Sequence, residues 1–266
     1  MAVTNPPEDL AGSTQIVVGS NGAIGHAVAQ ALSAAGARVI GLDMGPTPRE
    51  PGADHRQVDV EDPTAICEVL AEVLGECADA GTNTSGALGM VVATGLYPAR
   101  YTSDETAETL SQVLRANTVL PALLTSTFAQ VADQSRTRAV VLTSSLAARR
   151  SRIGSGAYSA SKVALERLVE TIALEHLGTG LRINCVQPGY VSAGSTINPI
   201  PDDYEAAMSE RIGGLVVPAD LVDSYLWLLS ERSAMVNGES LAVDRGLHIG
   251  RTDDQAWVSE PRGPMG

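Results

Sequence analysis

Short apolar runs alternate along the chain with longer segments in which apolar residues recur at helical spacing. Such runs are typical of strands buried on both faces of a sheet, and the longer segments are typical of the helices that cover it. Strands are predicted at 14–18, 37–43, shortly before 59, 88–95, 139–143, 181–186 and 240–243, and helices at 26–35, 62–79, 104–132, 156–177 and 218–230. The alternation predicts an α/β fold, a Rossmann-type doubly wound parallel sheet of about seven strands with helices on both faces.

The pattern contains one hydrophobic block without a repeat or a linker, so it predicts a single domain over residues 12–250. Residues 1–11 and 251–266 are expected to be flexible termini. The segment 190–217 has an irregular composition, and we expect it to form a loop over the substrate.

Composition argues against several classes of partner. The 266 residues carry a formal net charge of −13, which disfavours nucleic acid and anionic membranes as partners. No apolar run approaches the roughly 18 residues of a membrane-spanning helix, and the first residues lack the basic and apolar regions of a signal peptide. The cysteines, Cys67, Cys77 and Cys185, are scattered, so we expect reduced thiols, no metal site and a cytoplasmic location.

A glycine-rich loop follows the first strand, runs from Gly19 through Gly22 to Gly25, and leads into the next helix. Glycines there let the backbone approach a pyrophosphate at the helix N-terminus. Asp43 ends the second strand, where a carboxylate accepts hydrogen bonds from a ribose 2′-hydroxyl and repels a 2′-phosphate. Because the loop holds no Lys or Arg, the sequence favours NAD over NADP; the alternative interpretation is a tight structural turn.

Two later positions have both a functional and a structural interpretation. Asp59, which precedes Val60, could hydrogen-bond an adenine amino group or belong to the N-cap region of the helix that starts near Pro63. Pro121 cannot donate a hydrogen bond to the carbonyl of Asn117, four residues earlier in a helical segment. That carbonyl could hold an ordered water leading towards the later Lys162, or it could mark a kink.

The sequence Tyr158-x-x-x-Lys162 puts a phenol and an ammonium on one face of a predicted helix. A neighbouring cation lowers the pKa of a tyrosine, so the pair could move a proton to or from an alcohol oxygen. Ser145, at the end of an apolar run thirteen residues before Tyr158, could present its hydroxyl to the same oxygen. The alternative is a solvated helix face, and the predicted dinucleotide site favours catalysis.

Three arginines, Arg149, Arg150 and Arg152, lie between Ser145 and Tyr158. Arg152 could reach the substrate cleft and bind a carboxylate with two parallel hydrogen bonds. The competing interpretation is a solvated loop or an intersubunit contact.

These motifs resemble, in type and order, those of the short-chain dehydrogenase/reductase family in its compact single-domain form, over about residues 12–250. The resemblance implies that Tyr158 is the general acid/base, that Ser145 orients the substrate oxygen, and that Lys162 holds the nicotinamide ribose. It also implies that Asn117 anchors a proton-relay water. The implied cofactor contacts are Gly19, Asn21, Gly22, Ala23, Ile24, Gly25, Asp43, Asp59, Val60, Ala93, Gly95, Tyr158, Lys162, Pro188, Gly189 and Val191, and the implied substrate contacts are Ala147, Arg152 and Tyr190.

The chain departs from the usual family pattern at three places. Val18 and Ala23 replace a Thr and a Gly of the glycine loop, and Val92 to Gly95 retain only the last residue of the usual Asn-Asn-Ala-Gly. Ala193 stands where a threonine usually grips the carboxamide, although a nearby serine or threonine could substitute.

The sequence therefore predicts an NAD-dependent oxidoreductase that acts on a secondary alcohol or ketone, with alcohol oxidation as the favoured direction. The alternatives are an NADPH-linked ketoreductase of a biosynthetic pathway and a non-catalytic nucleotide-sensing protein of the same fold. The resemblance also implies a homotetramer, or a homodimer, formed through the helices at 104–132 and 156–177 and the last strand.

Overall fold

A single parallel sheet of seven strands organises the computed structural model, which describes residues 7–49, 54–79, 86–192, 202–212 and 214–250. The strands are β1 (Thr14–Val18), β2 (Arg38–Asp43), β3 (Asp54–Gln57), β4 (Leu88–Val92), β5 (Arg138–Thr143), β6 (Leu181–Pro188) and β7 (Ser240–Val243). Their order is β3-β2-β1-β4-β5-β6-β7. Successive strands are therefore added in one direction from β1 to β3 and in the opposite direction from β4 to β7, with the reversal between β1 and β4. In doubly wound sheets the ligand crevice lies at this reversal, outside the carboxyl ends of the strands.

Seven α-helices lie within the described residues and cover both faces of the sheet. They are α1 (Ala23–Ala34), α2 (Pro63–Asp79), α3 (Ala107–Leu114), α4 (Leu120–Val131), α5 (Gly156–Glu175), α6 (Asp202–Ile212) and α7 (Pro218–Leu229). Successive side chains of β1 point to opposite faces of the sheet, so the core has two parts. Ile16 and Val18 pack with α2, α4 and α5, while Val17 packs with α1 and α7. The predicted α/β fold, with a doubly wound sheet in a single domain, is confirmed.

The helix predicted at 104–132 is broken in the structure into α3, a π-helical turn over Arg115–Val119, and α4. The N–H of Leu120 reaches the carbonyl of Arg115, five residues back. Pro121, which lacks an N–H, follows directly, and a wider turn accommodates the lost hydrogen bond. The irregularity that Pro121 predicted therefore takes the form of a π-helical turn.

Two other segments differ from expectation. The predicted loop at 190–217 contains α6, whose sequence opens with acidic residues, favourable at a helix N-terminus, and continues with good helix formers. Within the N-terminal segment that was expected to be flexible, Glu8–Leu10 form a 3-10 turn, and Leu10 is fully buried in the core beside α1 and α7. Residues 1–6 and 251–266, and the Ala193 region, lie outside the described residues.

Candidate active site

The glycine loop forms a closed backbone turn between β1 and α1. Gly19 has a φ of +80°, and the N–H of Gly22 donates to its carbonyl at 3.0 Å. A Cβ on Gly25 would lie 2.1 Å from the Gly19 carbonyl oxygen, so no larger residue fits there. The turn leaves the first amides of α1 at the carboxyl edge of the sheet, where an anionic group binds favourably.

The residues of this edge fit a dinucleotide. Gly19 packs against the segment after β4, so that a Cβ added at Gly19 would lie 3.0 Å from the methyl group of Thr94. The Thr94 hydroxyl is buried and lacks a hydrogen-bond partner within the described part of the chain. Because buried polar groups are normally paired, such an orphaned hydroxyl beside a glycine cradle suits a polar ligand.

Asp43 closes this site at the end of β2, as the sequence predicted. Its carboxylate accepts hydrogen bonds from the N–H of Asn21 at 2.9 Å and from the N–H of Gly45 at 3.1 Å. The fold also brings in a cation that sequence reasoning missed, because Arg49 donates its backbone N–H to the Asn21 side chain at 2.8 Å. The Arg49 guanidinium approaches the Asn21 carbonyl at 3.5 Å. The loop itself contains no basic residue, but a basic side chain lies against it.

Asp59 does not cap the helix that follows it. Its carboxylate accepts from the N–H of Glu61 at 2.8 Å and is exposed after β3. The N-cap of α2 is Asp62, whose carboxylate accepts from the N–H of Thr64 at 2.9 Å. Asp59 therefore belongs to the turn that leads into α2, although Asp62 caps the helix itself, and the exposed carboxylate of Asp59 is also available for a ligand.

Asn117 is fully buried in the π-helical turn, and its side chain is paired with the backbone of Leu96. Its Oδ1 accepts from the N–H of Leu96 at 2.9 Å, and its Nδ2 donates to the Leu96 carbonyl at 2.8 Å. These bonds hold the chain that leaves β4, so that a Cβ on Gly95 would lie 3.7 Å from Nζ of Lys162. The sequence predicted a role for the Asn117 carbonyl but not this side-chain clamp.

Lys162 is 2% exposed and is the only lysine in the chain. Its Nζ donates to the carbonyl of Thr143 at 2.8 Å and lies 5.8 Å from the centroid of the Tyr158 ring. Burial lowers the pKa of Lys162 to about 8, while nearby Cys185 and Glu166 act in the opposite direction. The Lys162 ammonium therefore lies near the Tyr158 ring and at the carboxyl end of β5.

Tyr158 is half-buried, and its surroundings shift the pKa of its phenol. Burial raises the pKa of Tyr158, and the Ser145 hydroxyl and the charge of Arg152 oppose that rise. The expectation that Lys162 lowers this pKa thus needs correction: Lys162 is directed at the Thr143 carbonyl, and the pKa of Tyr158 is raised overall.

The two neighbouring serines point to different partners. Ser145 starts a 3-10 turn, and its Oγ accepts from the N–H of Ala147 at 3.1 Å, which leaves its proton for donation. Ser144 is buried and donates to the carboxylate of Glu166. The geometry therefore favours Ser145 over Ser144, as the thirteen-residue spacing predicted.

The three arginines of the cluster, Arg149, Arg150 and Arg152, contact different parts of the structure. Arg149 donates to the carbonyl of Ser240 at 2.9 Å, and Arg150 donates to the carbonyl of Gly250 at 3.0 Å, so both tie the loop to the C-terminal segment. Arg152 instead turns towards the catalytic tyrosine, with its Cζ 4.9 Å from the ring centroid of Tyr97. Apart from its position two residues after Gly95, Tyr97 belongs to no motif that sequence reasoning could have identified.

Tyr97 also packs edge-on against Tyr158, with ring centroids 4.8 Å apart and an interplanar angle of 72°. The ring centroid of Tyr190 also lies close to the Arg152 guanidinium, 5.4 Å from its Cζ. The sequence-predicted contacts Arg152 and Tyr190 thus come together beside Tyr158.

The remaining predicted cofactor residues lie at the same edge. Ala93 donates its N–H to the carbonyl of Val18 at 2.9 Å, and Gly189 donates to the carbonyl of Val243 at 3.1 Å. A Cβ on Gly189 would lie 3.0 Å from Asp244, so glycine permits the close approach of the chain after Pro188 to Asp244. Ala23 and Ile24 form the first turn of α1, Val60 follows β3, and Val191 forms an isolated bridge with Val216.

Two kinds of feature are absent from the described residues. There, no helix combines the length and apolarity needed to cross a bilayer. Within the same residues, no group of three or more His, Cys, Asp or Glu side chains is placed to hold a metal ion.

Comparisons with known proteins agree with this geometry. A family model described as enoyl-(acyl carrier protein) reductase matches residues 18–248. D-erythrulose reductase of Gallus gallus is 31% identical to this chain over 92% of it and 99% of its own length. The 2,3-dihydro-2,3-dihydroxybenzoate dehydrogenase of Escherichia coli is 29% identical over 91% of this chain and 99% of its own.

Among solved structures, the ligand-free aldohexose dehydrogenase of Thermoplasma acidophilum superposes with a TM-score of 0.81, covering 96% of this chain and 100% of its own. At 22% identity this likeness shows the fold alone. The family match runs over residues 18–248, which include the glycine loop and Tyr158-x-x-x-Lys162, and both curated relatives cover more than nine tenths of the chain. The chain belongs to the short-chain dehydrogenase/reductase family, whose oxidoreductases use a nicotinamide cofactor, NAD or NADP.

Proposed function

We propose that this protein is an NAD-dependent oxidoreductase that transfers a hydride between NAD(H) and a secondary alcohol or ketone. The observation that carries the proposal is the convergence of Ser145, Tyr158 and Lys162 at the glycine-loop edge of the sheet: the Lys162 Nζ lies 5.8 Å from the Tyr158 ring centroid, and the Ser145 hydroxyl opposes the rise in the pKa of Tyr158. When bound, the cofactor supplies or accepts the hydride, and the protein supplies position and a proton path.

Tyr158 is the proposed general acid/base. In alcohol oxidation its phenolate takes the hydroxyl proton, and in carbonyl reduction its phenol returns it. The Ser145 Oγ, held by the N–H of Ala147, donates a hydrogen bond to the reacting oxygen and orients it. The Asn117 clamp holds the chain just after Gly95 close to Lys162, where the segment that follows β4 meets the helix α5.

NAD is the proposed cofactor because Asp43 ends β2 with its carboxylate at the glycine loop, where it disfavours a 2′-phosphate. The NADPH-linked ketoreductase is kept as a second candidate because Arg49 lies against the same loop and could offset that repulsion. A non-catalytic nucleotide sensor is disfavoured by the convergence of Ser145, Tyr158 and Lys162.

We further propose a cytoplasmic enzyme whose functional domain covers residues 12–250, assembled as a homotetramer or homodimer. Apolar side chains stand exposed on α4 and α5, among them Leu123 (43%) and Val163 (50%). A second copy could cover these faces. Light scattering of the purified protein checks this, and a monomer at micromolar concentration contradicts it.

The direct test is NAD-linked oxidation of a panel of cyclic, open-chain and carboxylated secondary alcohols, compared with NADP and with the reverse reaction. Tyr158→Phe removes the proton-carrying oxygen and should abolish turnover while leaving NAD binding within about threefold. A matched control is Tyr101→Phe, because the Tyr101 side chain is exposed and follows the Tyr97 segment. Turnover that survives in Tyr158→Phe would contradict the proposal.

A further inference from the structure

The backbone of Arg152 is fixed by a buried serine. Ser155 is 2% exposed, and its Oγ accepts from the N–H of Arg152 at 3.2 Å and donates to the Arg152 carbonyl at 2.7 Å. The next turn is joined to the segment after β4, because the N–H of Arg100 donates to the carbonyl of Gly154 at 3.0 Å. The loop that carries Arg152 and the segment that carries Tyr97 are therefore held together before any ligand arrives.

The side chain of Arg152 is fixed by aromatic contacts. Its guanidinium donates to the hydroxyl of Tyr97 and lies over the rings of Tyr97 and Tyr190. Cation–π contacts engage the faces of the guanidinium plane, whereas a carboxylate binds along its edge. The Tyr97 hydroxyl also takes an N–H on that edge, so a carboxylate that binds along the edge would displace this hydroxyl, while the ring contacts lie on the faces of the guanidinium.

We propose that Arg152 binds the carboxylate of the substrate while Tyr158 acts on a hydroxyl or keto group of the same molecule. This inference rests on the proposed oxidoreductase function and narrows its substrate class to compact hydroxy acids and the corresponding oxo acids. The substrate is compact because one ring, that of Tyr97, touches both Arg152 and Tyr158. A long-chain acid would place its two functional groups too far apart for this pair.

The charge of the surroundings selects a singly charged anion. The neighbouring Arg149 and Arg150 are turned to carbonyl groups of the C-terminal segment and do not join Arg152. The chain as a whole carries a net charge of −13, which repels a dianion more strongly than a monoanion. One guanidinium in this setting suits a carboxylate rather than a phosphate.

The kinetic test compares 3-hydroxycyclohexanecarboxylate with its primary amide, a neutral molecule of nearly the same shape. The wild type should prefer the acid by about tenfold or more in kcat/KM, and Arg152→Gln should lose about 10- to 100-fold on the acid alone. Arg149→Gln, in the same cluster but outside the aromatic contacts, should keep the preference. An equal loss on both substrates in Arg152→Gln overturns the inference.

Arg152→Lys separates carboxylate binding from the influence of Arg152 on Tyr158. The lysine keeps the positive charge near the phenol but loses the planar fork. Turnover of the amide should stay within about threefold of wild type, while the preference for the acid falls. A lysine variant that retains the full preference overturns the assignment of bidentate binding.

A binding test stands apart from turnover. Isothermal titration of the full chain should give benzoate a dissociation constant about tenfold or more below that of benzamide, and Arg152→Gln should remove the difference. No preference in the wild type, a preference that survives in Arg152→Gln, or tighter binding of phenyl phosphate than of benzoate overturns the inference. If no alcohol is oxidised at all, the oxidoreductase proposal fails, and this titration still decides the role of Arg152.

Discussion

The ammonium of Lys162 donates a hydrogen bond of 2.8 Å to the carbonyl oxygen of Thr143, the last residue of β5. This contact holds the only lysine of the chain in the core beside Tyr158. A buried ammonium is partly desolvated, and its pKa is lowered to about 8 from the ordinary 10.5. The consequences of that shift can be measured directly.

A single lysine can be titrated by NMR without ambiguity. Protein labelled with ¹³C-lysine should give one side-chain resonance, which we expect to shift with a midpoint near pH 8 in the cofactor-free protein. A midpoint at or above the ordinary 10.5 would contradict the burial argument. Unfolding the same sample in urea should restore the ordinary value and serves as the control.

The same shift makes stability depend on pH. Between about 8 and 10.5 the unfolded chain holds the Lys162 proton and the folded chain does not, so the free energy of unfolding rises with pH. The stabilisation that comes from this shift in the pKa of Lys162 is fully present above pH 10.5 and is lost as the pH falls through about 8.

Cys185 acts in the opposite direction, because burial raises its thiol pKa to about 12 and so lowers stability as the pH rises past 9.0. The measurement is therefore the difference between wild type and Lys162→Met in urea unfolding at each pH. The difference should change by about 1.4 kcal/mol for each unit of pKa shift. A difference that is constant with pH would rule the effect out.

Glu166 is expected to raise the pKa of Lys162 from the next turn of α5. Its carboxylate accepts hydrogen bonds from Ser144 and Gln187, so it is held near the ammonium. Glu166→Gln should lower the midpoint of the lysine resonance further. Glu170→Gln on the same helix is the matched control, because that carboxylate is exposed and pairs with Arg167. Equal shifts in the two variants would show that the effect is not specific to Glu166.

The Asn117 clamp should contribute to both stability and activity. Asn117→Ala leaves the N–H and carbonyl of Leu96 without their partner, which should cost about 1–3 kcal/mol in the free energy of unfolding. It should also lower kcat, because the chain around Gly95 is no longer held against Lys162.

Thr118→Val provides a comparison for the clamp. Thr118 donates to the carbonyl of Ser161 at 2.8 Å from the same turn, but it does not contact Leu96. Urea unfolding and kcat together should show a loss of stability in both variants and the larger loss of kcat in Asn117→Ala. The opposite ranking would assign the clamp to stability alone.

Cofactor preference should depend on the balance between Asp43 and Arg49. Asp43→Ala should raise the KM for NAD by about tenfold, through loss of charge-assisted hydrogen bonds, and should improve the use of NADP. Adding Arg49→Gln to that variant should remove the improvement, since the guanidinium then no longer faces a 2′-phosphate. The ratio of kcat/KM for the two cofactors is the measurement, and an unchanged ratio in both variants would contradict the assignment.

The sequence predicted those residues of the site whose positions follow from their near neighbours along the chain. The glycine loop, Asp43, and the spacing from Ser145 through Tyr158 to Lys162 each belong to one strand end or one helix turn, so periodicity was enough to locate them. The parallel sheet followed from the alternation of strands and helices, and the π-helical turn followed in part from Pro121.

The contacts that sequence reasoning missed join distant segments. Arg49 meets Asn21 across 28 positions, and Arg152 meets Tyr97 across 55. Tyr97 follows no regular pattern in its segment, and its neighbours become apparent only when β4 and β5 lie side by side. The pKa of Tyr158 was also misjudged, because burial raises it while Ser145 and Arg152 oppose that rise, and none of these effects follows from helix spacing.

The burial of Lys162 has a consequence for how the protein can be chemically tagged. Apart from the α-amino group, the folded chain offers acylating reagents and lysine-directed ligases no amine at its surface. Modification of Lys162 requires the domain to open around α5. The rate of amine labelling at Lys162 therefore measures how often the domain opens around α5. A ligand that closes the site will lower this rate.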